Sequence, residues 1–380
     1  MNNILEYTVC SSCGCCYNVC PKDAITVKSG EFFYELAVDE TKCVSCGICK
    51  NVCPVNAPKK VQTIRSAYAL IHNDELIVRN SSSGGAFSAL AEWIMDQDGV
   101  VFGAAYTADC TGVEMVSTKT VKLDDLRRSK YVESQVGYTF REVKECLDEG
   151  KYVLYCGAPC QIAGLVRFIR KDYERLLTCD FSCGGMPSHK IYQEYLGLIA
   201  KKLGSKVCNV NFRPKTYGWS TYAIKCRGEN GKSYNCIAVA DPYFDCFIGN
   251  HFSVRDNCLT CTFAENHYAD ITLADYWKYK TDSMVANGNK GISLVLTNSS
   301  KGEQFIEAIR KRVALTVLDT TKASYNLKNK AYSEAFLKKR EAFLQQCKED
   351  GFAAVAKRMP LRSATKLQVK YFIKSMIGKE

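Results

Sequence analysis

The chain has 380 residues, enough for two or three domains, and its 47% hydrophobic content allows a full core. Its first residues, Met1 to Tyr7, lack the basic and apolar regions of a signal peptide, and no apolar run approaches a membrane span. Twenty-two cysteines in such a chain argue against a disulfide scaffold and for thiolate ligands in a reducing, cytoplasmic setting, while a formal charge of +11 asks where the excess lies.

Residues 1–62 carry two cysteine runs of one spacing. Cys10, Cys13, Cys16 and Cys20 precede Pro21, and Cys43, Cys46, Cys49 and Cys53 precede Pro54. The repeated C-x2-C-x2-C-x3-C-P is the two-cluster ferredoxin pattern, in which three thiolates of a tight loop bind one cubane and the fourth crosses to the other. Cys10, Cys13, Cys16 and Cys53 are therefore expected at one [4Fe–4S] centre, and Cys43, Cys46, Cys49 and Cys20 at the second. Gly14 and Gly47 supply the backbone freedom of the loops. Zinc also uses C-x2-C, but it needs four ligands per site and no repeated Cys-Pro. Cys15 is an extra thiol expected to take no part.

Residues 66 to about 205 alternate between the two periods. Strands are expected at Ala67–Ile71, Val100–Tyr106, Tyr152–Tyr155 and Leu176–Thr178. Helices are expected around Phe87–Met95, Phe140–Leu147, Ile162–Ile169 and Ile191–Leu203. Such alternation argues for an α/β core with largely parallel strands. A β-rich insertion follows, with strands at Val207–Phe212, Thr221–Cys226 and Ser233–Val239 and the hairpin signal Asn230-Gly231. Ile271–Leu273 and Ile292–Leu296 add two more strands, and from Gln304 onward the pattern is helical. The expected fold is thus α+β: a ferredoxin-type dicluster module over 1–62, then an α/β core domain over 66–320 (parts about 66–145 and 150–320). A basic helical region over 321–380 closes the chain.

Three features of the middle region carry chemistry. Ser81-Ser82-Ser83-Gly84-Gly85 opens a helix, where hydroxyls and backbone N–H groups suit a flavin or nucleotide phosphate; a linker or simple cap is the plainer alternative. Cys156-Gly-Ala-Pro-Cys160-Gln161 lies at a strand-to-helix junction, which favours a thiolate unless the thiols are merely structural. Cys258-Leu-Thr-Cys261 needs two further ligands, and Cys160 and Cys183 are the candidates for a third cluster. There is neither a G-x-G-x-x-G nor a Walker A sequence, and four histidines with no hydrolase motif argue against zinc hydrolysis.

Of the +11 formal charge, +9 lies in residues 321–380, with fourteen Lys and Arg against five Asp and Glu. Three oxidised clusters with four thiolates each would offset about six positive charges. The basic tail suits an acidic partner or an anionic membrane; nucleic acid is not expected, since no binding motif is present. Val369, Phe372, Ile373 and Met376 fall on one helical face with Lys366, Lys370 and Lys374 on another, a pattern open to peripheral membrane contact or to packing on the protein itself.

From about Ser66 to Thr320 the chain resembles the coenzyme F420 hydrogenase/dehydrogenase beta-subunit family. The resemblance rests on Ser82-Ser-Gly-Gly-Ala, Lys130-Tyr-Val-Glu-Ser134, Cys156-Gly-Ala-Pro-Cys-Gln-Ile-Ala-Gly164 and Cys179-Asp-Phe-Ser-Cys183. It continues through Arg213-Pro-Lys, Gly218-Trp-Ser, Cys258-Leu-Thr-Cys261, Ala269-Asp-Ile-Thr272 and Gly291-Ile-Ser293. It implies a flavoprotein, with FAD as the expected flavin and an iron–sulfur centre beside it. Electrons would pass between a deazaflavin, another hydride carrier or an organic substrate and a redox partner protein such as a ferredoxin. Cys160, Cys183, Cys258 and Cys261 would hold the inner cluster, and Ser82, Ser83, Gly84, Gly85, Lys130 and Gln161 would surround the flavin. Two positions depart from the family pattern: Gly184-Gly185 replaces the usual His-Gly, and Ala274 replaces a Gly before Asp275.

Overall fold

A computed structural model describes residues 10–56, 63–277, 289–323 and 331–361. The first segment is built on an internal repeat. Ser12 and Ser45, and Gly14 and Gly47, take left-handed conformations in matching places, and each glycine starts a one-turn helix (Cys15–Val19 and Ile48–Val52). Cys20 and Cys53 end those helices with nearly the same extended backbone. Strands β1 (Ile25–Ser29) and β2 (Tyr34–Val38) form an antiparallel hairpin beside them.

The core is one nine-stranded sheet. Its strands are β3 (Ser66–His72), β4 (Val100–Tyr106), β5 (Val113–Ser117), β6 (Ser134–Gln135), β7 (Val153–Cys156) and β8 (Leu176–Phe181). A separate antiparallel sheet of β9 (Val207–Asn211), β10 (Ala223–Gly228) and β11 (Ser233–Ile237) interrupts the chain. The large sheet then continues with β12 (Ile271–Asp275), β13 (Ser293–Thr297) and β14 (Val313–Leu318), in the order β14-β3-β13-β12-β8-β7-β4-β5-β6. Its central strands β4, β7 and β13 are apolar almost throughout, as strands covered on both faces must be. Helix Ala86–Asp96 buries Ala89, Leu90 and Ile94 on one face, and helices Thr139–Asp148 and Pro159–Ile169 cover the other. Helices His189–Leu203, Glu334–Asp350 and Phe352–Arg358 share a second core with the three-stranded sheet.

Three expectations need correction. The strands are not largely parallel: β12-β8, β8-β7, β7-β4 and β5-β6 are parallel, but β14-β3, β3-β13, β13-β12 and β4-β5 are antiparallel. Strand direction is set by which distant partner is met, which local periodicity does not encode. The chain after Gln304 is not uniformly helical, because Val313, Leu315 and Val317 alternate in β14 at the sheet edge. Strand β5 is absent from the sequence-based expectation; it is a short stretch in which Val113, Met115 and Ser117 face inward. The amphipathic pattern of residues 366–376 lies outside the described residues.

Polar groups fasten the cysteine module to the core. Arg141 donates to the carbonyls of Tyr17, Asn18 and Cys20 at 2.8–3.2 Å, and Arg167 to those of Asn51 and Val52 at 2.7 and 3.3 Å. Each arginine thus caps the carbonyl end of one cysteine helix, where cations are favoured. Fully buried Glu133 accepts from the Tyr34 backbone N–H at 3.0 Å and pairs with buried Arg255. The Tyr34 ring stacks on His189 with centroids 3.8 Å apart, and Ser29 Oγ hydrogen-bonds His189 Nε2 at 2.9 Å. Removing one member of a buried ion pair strands the other charge. Glu133→Ala should therefore cost about 3–5 kcal/mol, read from urea unfolding, and Glu133→Ala/Arg255→Leu should recover part of that loss.

Candidate cluster and cofactor sites

The structure brings Cys10, Cys13, Cys16 and Cys53 to one small cavity, as the crossed pattern requires. Cys10 and Cys16 each feel the thiol of Cys53, which lies far away in sequence. Cys49 feels Cys20 and Cys46 in the same way, which brings the crossing ligand of the second set to its partners. Backbone N–H groups point at sulfur: Ser12 to Cys10 and Ala24 to Cys20, both at 3.4 Å. The first set is largely buried, whereas Cys46 is exposed and neighbouring Val44 is 58% exposed. Cys15, expected to stand aside, is buried with its thiol turned to the Val52 carbonyl, and burial pushes it up to about 12.

A second gathering of thiols lies inside the main domain. Cys160 is in the first turn of helix Pro159–Ile169, Cys183 follows β8, Cys258 lies within the 3-10 turn Asp256–Thr260, and Cys261 caps its end. All four line a cavity of about 320 Å³. Gly185 N–H points at Cys183 Sγ (3.4 Å) and Met186 N–H at Cys258 Sγ (3.3 Å). Burial pushes the Cys183 thiol up to about 12 and raises Cys160 and Cys258 as well. Four such thiols would be costly as thiolates without a cation to share their charge, and N–H donors at sulfur suit an iron–sulfur cluster. Among the described residues, no three His, Cys, Asp or Glu side chains close around a single ion. The space beside Gly184 is met by His251, whose Cε1 is 3.9 Å from where a Cβ would stand. His251 Nδ1 hydrogen-bonds the Tyr332 hydroxyl at 3.2 Å.

Adjoining this gathering is a cavity of about 430 Å³, whose wall includes Ser182 to Met186 in common with it. Its wall includes the polar and cationic Ser82, Ser83, Arg127, Arg128, Ser129 and Lys130 as well as the aromatic Tyr222, Phe247 and Trp277. Ser82 Oγ accepts from the Ser129 N–H at 2.8 Å, and Ser83 Oγ donates to the Ile292 carbonyl at 2.7 Å. Gly84 does not line the cavity. It lies behind the loop, where a Cβ would stand 2.2 Å from the Leu70 carbonyl oxygen and 2.6 Å from the Ser293 nitrogen. Gly85 caps helix Ala86–Asp96 in the left-handed region that favours glycine (φ 90°). Gln161 is held at both ends, its Oε1 accepting from Ala158 N–H and its Nε2 donating to Ser134 Oγ. Lys130 Nζ donates to the Arg127 carbonyl at 2.7 Å, and burial lowers this amine to about 7.

Arg213 on the cavity wall and Lys215 behind it have roles that sequence reasoning misses. Lys215 reaches under the serine–glycine loop and donates to the carbonyls of Ser83 (2.8 Å), Lys290 (2.7 Å) and Val78. Arg213 pairs with Asp275 at 2.8 Å and lies 3.9 Å from the Tyr222 ring centroid. Burial alone would depress Arg213, but Asp275, Tyr131 and Tyr222 together outweigh it and hold the guanidinium above its ordinary range. The Arg213-Pro-Lys motif is the available signal; its meaning depends on β12 and the 289–291 turn, which only folding brings near.

The fold and the gathered thiols define an iron–sulfur electron-transfer oxidoreductase. Residues 150–323 match the model for the C-terminal part of the coenzyme F420 hydrogenase/dehydrogenase beta subunit, and residues 9–57 match the 4Fe–4S dicluster domain. Residues 150–323 are thus similar to the C-terminal part of that beta subunit, and a stretch similar to a dicluster domain precedes them. Among solved structures, the chain is similar to one from the xenon-derivatised F420-reducing [NiFe] hydrogenase complex of Methanosarcina barkeri. The identity is 14% and the TM-score 0.47, over 75% of this chain and 93% of that one. No curated protein matches the sequence. Among the described residues, no helix is long and apolar enough to cross a membrane.

The depressed Lys130 amine has a consequence for stability. Between about pH 7 and 10.5 the unfolded lysine binds a proton that the folded one does not, so this group makes stability rise with pH in that window. In cofactor-free protein, Lys130→Met should raise stability at pH 7 relative to wild type. That advantage should shrink towards pH 10, as read from urea midpoints across the range.

Proposed function

We propose that the chain is an iron–sulfur flavoprotein that joins hydride exchange at a flavin to one-electron transfer through three [4Fe–4S] clusters. The observation that carries this reading is the continuous series of sites. The 430 Å³ cavity shares a wall with the Cys160–Cys183–Cys258–Cys261 cavity. Cys160 turns its thiol to the Ser11 carbonyl of the first cysteine loop, and Cys13 feels Cys160. From there the path leads through Cys53 and Cys20 to the second set, with exposed Cys46 at the surface. The cavity size falls within the range of cofactor sites, and its wall has hydroxyls, amides and cations suited to a phosphate.

A flavin supplies the junction between two-electron and one-electron chemistry. FAD, which Ser82, Ser83, Gly85 and Lys130 would hold at its pyrophosphate, is the cofactor we assign. The protein residues do the rest. Lys215 and Ser83 hold the loop in place, and Gly84 lets it approach β3 and β13. Buried Lys130 regains its proton when an anion arrives. The N–H groups of Gly185 and Met186 tune the inner cluster. The hydride donor or acceptor would be coenzyme F420, another hydride carrier or an organic substrate. The redox partner, such as a ferredoxin, would meet the exposed loop around Val44 and Cys46.

Anaerobic reconstitution tests the reading. About twelve irons per chain are expected, and Cys258→Ser should lower this to about eight while leaving the ferredoxin-type clusters in place. Acid should release one flavin per chain, and one class of hydride donor should bleach it. Retained iron with no flavin would make the chain an electron relay for a separate enzyme and overturn the hydride step.

A further inference from the structure

Two cysteines outside the twelve assigned to clusters are paired across β7 and β8, and one of them lines the larger cavity. Cys156 ends β7 and faces Cys179 of β8 in parallel register. Paired residues on adjacent strands point to the same face, with backbones about 4.8 Å apart. That spacing lies inside the window of roughly 4.4–6.8 Å between Cα atoms that a disulfide spans. The neighbouring Cys156 thiol and burial together push the Cys179 thiol up. Cys179 is fully buried and also directs its thiol to the Asp180 carbonyl at 3.7 Å, whereas Cys156 is half-buried and lines the cavity. An attackable thiol is thus backed by a resolving one. The Cys179 carbonyl also accepts from Gly157 N–H at 3.0 Å, which ties the pair to the turn leading into Cys160 and Gln161.

We propose that Cys156 and Cys179 are a redox-active dithiol, which a small disulfide entering the cavity converts to an intramolecular disulfide. The Cys156 thiolate attacks one sulfur of the incoming disulfide and expels the first small thiolate. The Cys179 thiolate then attacks the Cys156 sulfur of the mixed disulfide and expels the second. The protein loses two protons and two electrons, and the small disulfide becomes two thiols. The strand-to-helix turn carrying Cys160 would follow the state of the pair. This reading rests on the pair's own geometry and needs the cavity open at Cys156, so the test uses protein freed of any flavin.

The test uses the full, cluster-loaded protein under anaerobic conditions, in glutathione buffers of increasing oxidised fraction. Samples are quenched in acid, alkylated in denaturant and digested for mass spectrometry. The expected result is a peptide joined through Cys156 and Cys179. Alkylation of both should fall at least tenfold and in parallel, with the cluster absorbance unchanged. Cys179→Ala should instead trap one glutathione on Cys156. The wild-type linked peptide decides the matter even if that variant does not fold. Cys156 carrying glutathione beside a free Cys179 in the wild type would overturn the proposal. So would both remaining thiols at the most oxidising ratio that leaves the clusters intact.

Discussion

Helix Pro159–Ile169 crosses the first cysteine loop at Gly164, where a Cβ would stand 2.9 Å from the Cys13 carbonyl oxygen and 3.1 Å from its sulfur. Only a residue without a side chain permits that approach. The same helix carries Cys160 in its first turn, one helical turn from Gly164. The close contact therefore sets how near the thiols of the main domain come to those of the dicluster domain. Widening it would separate the two groups and open the series of sites in its middle. Electron transfer depends on such spacing, so this contact governs what the remaining structure is able to do.

The surrounding polar groups hold that approach in place rather than add to the core. Arg141 and Arg167 grip the carbonyl ends of the two cysteine helices, one each, in keeping with the repeat. Glu133, Arg255 and His189 hold the β1–β2 hairpin from the other side. A buried ion pair adds little net stability compared with apolar packing, but breaking it is costly. Its value here is orientation: it ties β2 to a strap between β5 and β6 and to the loop bearing Cys258. The dicluster domain is thereby held rigidly against the domain that carries the cavity.

The cavity shows a division of labour within one motif. In Ser82-Ser83-Gly84-Gly85, Ser82 binds Ser129, Ser83 binds the Ile292 carbonyl, and Gly84 packs on β3 and β13. Much of what reads as a ligand-binding string is spent on building the loop. Lys215 completes it from below, through three carbonyls of separate segments. The cationic surface presented to a ligand comes instead from Arg127, Arg128 and Lys130.

The dicluster domain is legible in the sequence because the spacing of its cysteines is local, and the meeting of Cys53 with the first run and of Cys20 with Cys49 is what the repeat leads one to expect. Most strands and helices of the main domain are legible too, since their apolar periods are strong. The mixed direction of the large sheet is not. Strand β3 pairs with β13 and β14, more than two hundred residues later, and no local pattern records that choice. The gathering of Cys160, Cys183, Cys258 and Cys261 is suggested by motifs, but their shared cavity exists only after β7, β8 and the 3-10 turn have packed. The roles of Lys215, Arg213 and the Cys156–Cys179 pair belong wholly to the tertiary structure. Each depends on atoms brought together across the chain, and sequence spacing constrains contacts only within a few residues.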